Sequence, residues 1–347
     1  GNNYIVYLFN SSGSAYAGAN WLMASNSTLQ DVVDANSDGV GDFYFNNGTT
    51  TKSYTNWVVN SGATAITSGN WIYDSGLTYT STYLVDMDQT GTADYVTQSS
   101  DGTLRIVLTG ANGTILGSHR WIAGLGANEL RFACDLDSDG KPEVITENTS
   151  TGAIGVVKLN STATAYSGFA ILKTGVRVLG AGDFNGDGKN DLVFYNTTTK
   201  AISVGYVSSA TALSSEVSFG ATGGFSSSGA LPAVSTADLN ADGRADLLVR
   251  NVTNQTFYSI ITSTSTTGPA GGINWIFQPA NADANFEYVG DMDGDNRADI
   301  LTYLSGSADK TVMKVNLNSG GTAYSSATWL LGNGMTDVPI RNFNIGY

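Results

Sequence analysis

A nine-residue acidic segment recurs six times along the chain, and it constrains the fold more than any other feature. The clearest copy runs from Asp183 to Asp191, with oxygen-bearing side chains at positions 1, 3, 5 and 9 and glycine at position 6. The copies begin at residues 34, 86, 135, 183, 238 and 291, so their spacing is 48 to 55 residues. A period near 50 residues is typical of propeller blades, each of which is one unit that stacks on its neighbours.

The residues between the acidic segments predict short strands. Third strands such as Ile154–Leu159 and Ile202–Val207 are rich in β-branched residues and are bounded by turn residues. Each unit reads as a strand, the acidic loop, a strand, a polar turn, a third strand, a second turn and a fourth strand. No stretch has helical periodicity. The sequence therefore predicts an all-β fold of four-stranded antiparallel blades.

The number of repeated segments predicts the number of blades. The third-to-fourth-strand segment occurs seven times, beginning near residues 4, 54, 104, 154, 202, 257 and 312, whereas the acidic loop occurs six times. Residues 338–346 resemble the approach to a seventh loop, and Asn342 follows Asp291 by 51 residues. We therefore predict a single seven-bladed β-propeller over residues 1–347, in which pairing of the N- and C-terminal strands closes the ring and hides the sheet edges.

The alternating oxygens of the acidic loop suit a hard cation. Calcium takes six to eight oxygen ligands, and a tight loop can direct alternate side chains toward it, with the position-7 carbonyl as a further ligand. A single Asp-x-Asn-x-Asp-Gly stretch is equally well explained as a solvated turn. Six copies in phase, each closed by an acid at position 9, favour the metal interpretation. We therefore expect up to six Ca²⁺ ions.

Charge and composition exclude some classes of function. The formal net charge is −14, and 20 of the 30 acidic residues stand at predicted ligand positions, so the acidity is explained by metal sites. An acidic chain lacks the basic surface that nucleic-acid binding requires. No apolar run is long enough for a membrane helix, so membrane insertion is not expected. The sequence is silent on the oligomeric state.

Residues 178–188, with the sequence VLGAGDFNGDG, closely resemble the FG-GAP repeat. That repeat also builds the propeller of integrin α-subunits and is similar to the VCBS-type repeats of secreted proteins. The resemblance implies calcium sites and an extracellular or cell-surface location. Proteins with such repeats include adhesion receptors, a seven-bladed fungal lectin and some sugar-converting enzymes, so the repeat specifies the fold more than the function.

The resemblance implies metal ligands at matching positions of the six loops, with position 7 contributing its carbonyl oxygen. They are Asp34, Asn36, Asp38, Val40 and Asp42 in loop one; Asp86, Asp88, Thr90, Thr92 and Asp94 in loop two; Asp135, Asp137, Asp139, Lys141 and Glu143 in loop three; Asp183, Asn185, Asp187, Lys189 and Asp191 in loop four; Asp238, Asn240, Asp242, Arg244 and Asp246 in loop five; and Asp291, Asp293, Asp295, Arg297 and Asp299 in loop six. Two loops depart from the pattern. Thr90 removes one charge from loop two, and Asn296 replaces the glycine of loop six, although asparagine tolerates left-handed backbone angles.

A tryptophan recurs at the start of the fourth strand, and the candidates are Trp21, Trp71, Trp121, Trp275 and Trp329. Ile171 holds this place after loop three, and no clear match follows loop four. Repetition at one structural position favours packing between blades. The alternative is that some rings line pockets between adjacent blades and stack on sugar faces, because a flat ring with a polar group suits that task.

The functional prediction is a non-catalytic adhesion or glycan-binding module that binds glycans or a cell-surface or matrix protein. Its sole histidine, His119, and its sole cysteine, Cys134, form no recognisable catalytic motif, and most acids belong to the loops. One alternative is a display or assembly module of a surface protein or filament. A second alternative, which rests on the resemblance alone, is a sugar lyase or dehydratase.

Overall fold

The computed structural model describes residues 2–9, 16–25, 28–34, 41–46, 53–59, 65–74, 79–110, 114–116, 120–221, 231–262, 272–278, 284–304 and 311–331. Within these ranges the chain forms 28 strands and no helix, so no described helix is long and apolar enough to cross a membrane. The strands are β1 (Asn2–Phe9), β2 (Tyr16–Ser25), β3 (Thr28–Val33), β4 (Asp42–Asn46), β5 (Ser53–Val59), β6 (Ile66–Asp74), β7 (Tyr79–Val85), β8 (Asp94–Ser99), β9 (Thr103–Val107), β10 (Thr109–Gly110), β11 (Thr114–Ile115), β12 (Arg120–Gly124), β13 (Glu129–Cys134), β14 (Glu143–Asn148), β15 (Ala153–Leu159), β16 (Tyr166–Lys173), β17 (Arg177–Gly182), β18 (Asp191–Tyr195), β19 (Ala201–Ser209), β20 (Ala212–Ala221), β21 (Ala233–Ala237), β22 (Asp246–Arg250), β23 (Phe257–Ile260), β24 (Ile273–Phe277), β25 (Ala284–Gly290), β26 (Asp299–Leu304), β27 (Thr311–Leu317) and β28 (Tyr324–Leu331).

The strands form six four-stranded antiparallel sheets, which confirms the predicted all-β class and the repeating unit. Sheet 1 contains β3–β6, sheet 2 contains β7, β8, β9 and β12, sheet 3 contains β13–β16, sheet 4 contains β17–β20, sheet 5 contains β21–β24 and sheet 6 contains β25–β28. Strands β1 and β2 form a two-stranded sheet, as do β10 and β11. In every four-stranded sheet the acidic loop joins the first strand to the second.

The described residues fall into two compact units. Sheets 1 to 3 belong to the first unit and sheets 4 to 6 to the second. The single seven-bladed ring over residues 1–347 stays a prediction, and residues 338–346 with Asn342 lie outside the described ranges.

The second strand of each sheet is buried on both faces, which explains its continuous apolar sequence. In β22, Leu247 and Val249 pack in a cluster with residues of sheet 4, such as Phe184 and Val193. Leu248, on the opposite face of the same strand, packs in a cluster with residues of sheet 6. Each fully buried aliphatic side chain contributes about 1.5–3 kcal/mol to folding. The core of the second unit therefore lies between neighbouring sheets.

Candidate functional site

The acidic loops fold around the carboxylate at position 1. In loop four, Asp183 Oδ1 accepts the N–H of Gly186 at 2.7 Å, and its Oδ2 accepts the N–H of Gly188 at 2.8 Å. Asp238 and Asp291 make the same pair of bonds in loops five and six, with distances of 2.7 and 2.8 Å. The position-1 side chain therefore organises the turn itself, in addition to any ion that it holds.

Positions 4 and 6 of loops two to six both adopt left-handed backbone angles. The position-6 glycines of loops two to five have φ between 81° and 83°, and Asn296 of loop six has φ 63°, as its tolerance of this region predicts. Position 4 is left-handed as well, and Ala241 adopts it at φ 63° without the freedom of glycine. This second left-handed position was not evident from the sequence, since its residue varies between loops.

The position-9 acid is a buried anchor for the backbone, a role that sequence reasoning missed. Asp246 is fully buried; its Oδ2 accepts the N–H of Leu239 at 3.1 Å, and its Oδ1 accepts the N–H of Thr262 at 2.8 Å. Asp191 and Asp94 make the equivalent pair of bonds: each accepts the N–H of the position-2 residue of its own loop and a second N–H, from Val207 on the third strand or from Thr109 just beyond it. These carboxylates join the loop to the sheet, whatever else they bind.

Burial changes the acidity of these anchors. Desolvation raises the pKa of Asp94, Asp191 and Asp246 to about 7, although their two backbone hydrogen bonds oppose the shift. Nearby loop carboxylates add to the increase in each case. Desolvation raises the pKa of Glu143 to about 7 as well, against a lowering hydrogen bond from the N–H of Leu136. A dication beside such a group would reverse this shift, since it favours the ionised form.

Carboxylate oxygens converge in three loops. Asp86, Asp88 and Asp94 bring one oxygen each within 4.8 Å of one another, as do Asp135, Asp137 and Glu143, and Asp291, Asp293 and Asp295. At position 3 of these loops, one carboxylate oxygen, the Oδ1 atom of Asp88, Asp137 and Asp293, is buried without a hydrogen-bond partner. A buried carboxylate oxygen without a donor is costly unless a cation satisfies it. The donor set fits a hard divalent cation.

The position-5 side chains bond to the position-7 residue of their own loop. Asp187 and Asp242 each accept the N–H of their position-7 residue, and Arg244 also binds Asp242 through its side chain at 2.6 Å. Arg297 contacts Asp295 in the same way. In loop two, the Thr90 hydroxyl lies 2.9 Å from that of Thr92. Among the three convergent clusters, position 5 joins only that of loop six.

Loop one is described only in part, and loops four and five have asparagine where loops two, three and six have aspartate at position 3. In loop one, Asp34 is half-buried and Asp42 is buried, whereas Asn36, Asp38 and Val40 lie outside the described ranges. Loops four and five have Asn185 and Asn240 at position 3, and these side chains accept the N–H of position 5 at 2.8 and 3.0 Å. His119 also lies outside the described ranges.

Neighbouring loops are linked within the second unit. The position-8 N–H of Ala245 donates to the carbonyl of Asp183 at 2.7 Å, and that of Ala298 donates to the carbonyl of Asp238 at 2.7 Å. Loops four, five and six therefore form one hydrogen-bonded row. These hydrogen bonds hold each loop in position relative to the next.

The repeated tryptophans lie beside a bulge in the fourth strand. In sheet 5, Phe257 pairs with Phe277 and Tyr258 pairs with Trp275, so Ile276 is an extra residue. The same one-residue shift follows Trp71, Trp121, Ile171 and Trp329 in sheets 1, 2, 3 and 6. Sheet 4 has Ser218 at this register position, so it lacks an aromatic ring there.

The bulge places the tryptophan outward and its successor inward. Trp121 is 62% exposed and Trp275 is 58% exposed, whereas Ile122 and Ile276 are 2% and 1% exposed. The apolar residue after the tryptophan, and not the tryptophan, therefore packs between the sheets. The packing interpretation is wrong for these two rings. The side chains of Trp21, Trp71 and Trp329 lie outside the part of the structure that is described.

An open groove lies beside Trp275. It has a volume of about 390 Å³ and is lined by Trp275, Phe277, Gln278 and Tyr324, with Ile276 and Ala323. Tyr324 of sheet 6 is 46% exposed, so two aromatic side chains from adjacent sheets border the groove. Gln278 is exposed and donates to the carbonyl of Asn254 at 2.9 Å, which orients its amide. Aromatic faces beside a fixed amide are the features that sugar recognition uses.

Comparison with solved structures defines the class. A lectin from Agrocybe aegerita, whose structure shows recognition of non-reducing terminal N-acetylglucosamine, matches with a TM-score of 0.68 and 15% identity over 88% of this chain and 80% of that one. The lectin BP39L from Burkholderia pseudomallei matches with a TM-score of 0.60 and 15% identity over 95% and 96% of the two chains. At these identities the likeness shows the fold alone. The repeated sheets and loops are those of a β-propeller.

The sequence comparison adds the type of repeat. Residues 183–249, from loop four to β22, match the FG-GAP-like repeat. This confirms, for this part of the chain, the resemblance that residues 178–188 indicate, and the fold of the chain resembles that of propeller lectins. No curated protein sequence matches the chain.

Proposed function

We propose that this protein is an extracellular, calcium-binding β-propeller that binds glycans and has no catalytic activity. The observation that carries the proposal is the outward face of Trp275, which borders a groove with Tyr324 and Gln278. An exposed ring can stack on the apolar face of a pyranose, and the neighbouring amide can bond its hydroxyl groups. The propeller lectins with a similar fold support this assignment.

Calcium has a structural role in this proposal. The convergent carboxylates and the unpartnered oxygens of Asp88, Asp137 and Asp293 favour a bound cation. Extracellular calcium modules bind at about 10⁻⁴–10⁻³ M, so such loops suit a protein outside the cell. The loops connect first to second strands, whereas Trp275 lies on a fourth strand, so calcium stabilises the sheets and does not contact the sugar.

The test is a glycan array, probed with and without calcium, that includes oligosaccharides ending in N-acetylglucosamine. We expect binding by the wild-type chain and loss of it in Trp275→Ala with an unchanged melting curve. Phe169→Ala is the matched control, because Phe169 is also exposed but lies in sheet 3, and it should bind as the wild type does. Absence of binding to every glycan at millimolar concentration would refute the proposal.

One observation favours the display or assembly alternative. Tyr166, Phe169 and Ile171 are all exposed on β16, the fourth strand of sheet 3. Exposed apolar residues grouped on one strand favour a protein contact. If Phe169→Ala prevents association with a cell-surface or matrix protein while no glycan binds, the assembly role is correct and the glycan role is wrong.

A further inference from the structure

Two of the acidic loops are each contacted by a lysine on the third strand of their sheet, and no third-strand lysine contacts loops two, four or five among the described residues. Loops three and six have acids at all four of positions 1, 3, 5 and 9, whereas loops two, four and five have three acids. In loop three, Lys158 Nζ lies 2.9 Å from Asp137 Oδ2 and 3.5 Å from Glu143 Oε1. In loop six, Lys314 Nζ lies 2.7 Å from Asp293 Oδ2 and 3.0 Å from Asp299 Oδ2. Each lysine therefore joins the carboxylates of positions 3 and 9.

The two lysines reach this place from different strand positions. Lys314 pairs with Leu301 on the second strand of its sheet, and the equivalent residue of sheet 3 is Val156, which pairs with Ile145. Lys158 stands two residues farther along its strand, on the same face. Both lysines lie 21 residues after the position-3 acid of their loop, and from these different register positions both deliver an ammonium group to the same pair of carboxylates.

The lysine leaves one position-3 oxygen available. Lys158 and Lys314 bind the Oδ2 atoms of Asp137 and Asp293, while the buried Oδ1 atoms of both residues have no hydrogen-bond partner. Asp88 Oδ1 is in the same state in loop two, where no lysine contacts the loop acids among the described residues. The ammonium group therefore neutralises the carboxylate and leaves its buried Oδ1 atom without a donor.

Loops three to six all carry the same formal charge. Loops four and five combine three acids with one position-7 cation, Lys189 or Arg244. Loops three and six combine four acids with a position-7 cation, Lys141 or Arg297, and with the additional lysine. All four loops thus carry a formal charge of −2, which one divalent cation neutralises.

We propose that Lys158 and Lys314 are positioning residues that match loops three and six to the charge of a single divalent cation and direct Oδ1 of the position-3 carboxylate toward it. The metal part of this inference rests on the proposed calcium binding. The charge-compensating part does not, because it rests on the ammonium–carboxylate contacts alone. Loop six is the better place for a test, because Lys314 is almost fully buried.

The experiment compares Lys314→Met, Asp293→Asn and the double variant in chelator and in 5 mM calcium, with melting temperature as the readout. Lys314→Met leaves Asp293 and Asp299 uncompensated, so we expect the Tm in chelator to fall by about 5 °C or more. Calcium should largely restore the Tm. The calcium affinity of this loop should rise about tenfold, because the variant lacks a positive charge near the ion. The double variant has the Asn pattern of loops four and five and should regain the Tm of the wild type in chelator.

Lys189→Met is the control: it also makes its loop one charge more negative, but the contact of 3.6 Å that it removes to Asp187 is screened by solvent, so the Tm in chelator should stay within about 1 °C of the wild type. If the double variant melts as low as Lys314→Met, the lysine is a packing residue and the inference fails. If equilibrium dialysis shows that Lys314→Met binds one more calcium ion than the wild type, the ammonium group occupies the place of the ion, which also overturns it. A wild-type chain that binds no calcium refutes the metal part and the calcium proposal, while the chelator arm still decides charge compensation. Lys158→Met with Asp137→Asn repeats the cycle in loop three.

Discussion

Lowering the pH from 8 to 5.5 in the presence of a chelator is expected to stabilise this protein. The reason is that burial raises the pKa of four position-9 acids, Asp94, Glu143, Asp191 and Asp246, to about 7 in the folded chain. The unfolded chain exposes these groups, whose pKa values then return to about 4. Between these two values the folded state binds more protons than the unfolded state, so stability rises as the pH falls.

The size of the effect follows from the shift. A carboxyl group with a folded pKa near 7 and an unfolded pKa near 4 gains about 2 kcal/mol of folding free energy between pH 8 and pH 5.5. Four groups give roughly 4–8 kcal/mol after allowance for their mutual repulsion, or about 5–10 °C in Tm for a chain of this size. This stabilisation is complete below the unfolded pKa and is lost as the pH rises through 7. Asp295, whose pKa its Arg297 partner lowers, titrates below this range.

Calcium should reverse the sign. A bound dication keeps the loop carboxylates ionised, so protonation competes with the metal and releases it as the pH falls. The Tm in 5 mM calcium is therefore expected to fall from pH 8 to pH 5.5, and the two curves should converge at low pH. Differential scanning calorimetry at five pH values, with chelator and with calcium, measures both curves. A chelator curve that is flat or falls with decreasing pH would show that the position-9 acids are ionised without metal and would refute the reasoning.

Three further predictions concern metal, core and backbone. Replacing the chelator by 10 mM calcium should stabilise the chain by about 2–3 kcal/mol for each site with a dissociation constant of about 10⁻⁴ M. Calorimetry should show this as a Tm that rises with calcium concentration, and an unchanged Tm would argue against calcium sites. Ile276→Ala should cost about 2–4 kcal/mol in urea unfolding because the side chain is buried, whereas Trp275→Ala should cost less than about 1 kcal/mol, and equal costs would contradict the outward position of the ring. Gly243→Ala should cost about 1–2 kcal/mol, since φ is 81° and a Cβ would meet no atom within 4 Å; Gly124→Ala, equally open but without a positive φ, is the control that should stay within about 0.5 kcal/mol.

The period of the acidic loops was enough to predict the sheets, because each loop is followed by apolar residues that begin the buried second strand. The roles within a loop were not predictable, since Asp183 and Asp191, at the two ends of the same loop, are the same residue type. Their difference depends on the start of the strand. Asp191 is the first residue of β18, so it is buried and faces backbone donors, while Asp183 lies in the turn.

The orientation of the tryptophans was also hidden, because it depends on a bulge that local sequence patterns do not reveal. Repetition suggested packing, yet the extra residue at Ile276 turns Trp275 outward. A signal existed in the sequence, since every repeated tryptophan is followed by isoleucine or leucine, and only one of two adjacent residues can face the core. The lysine partners of loops three and six lie 21 residues after Asp137 and Asp293, beyond the reach of a nine-residue motif.

Glycan affinity is the measurement that tests the central claim most directly. Isothermal titration in calcium, with the glycan that binds best on the array, should give a dissociation constant at or below about 1 mM for the wild type, an affinity that a few stacked rings and hydrogen bonds can supply. Trp275→Ala should weaken binding at least tenfold with an unchanged melting curve, while Phe169→Ala binds as the wild type does. Equal affinities for the wild type and Trp275→Ala would contradict the account, because the sugar would then lie elsewhere than on the ring of Trp275.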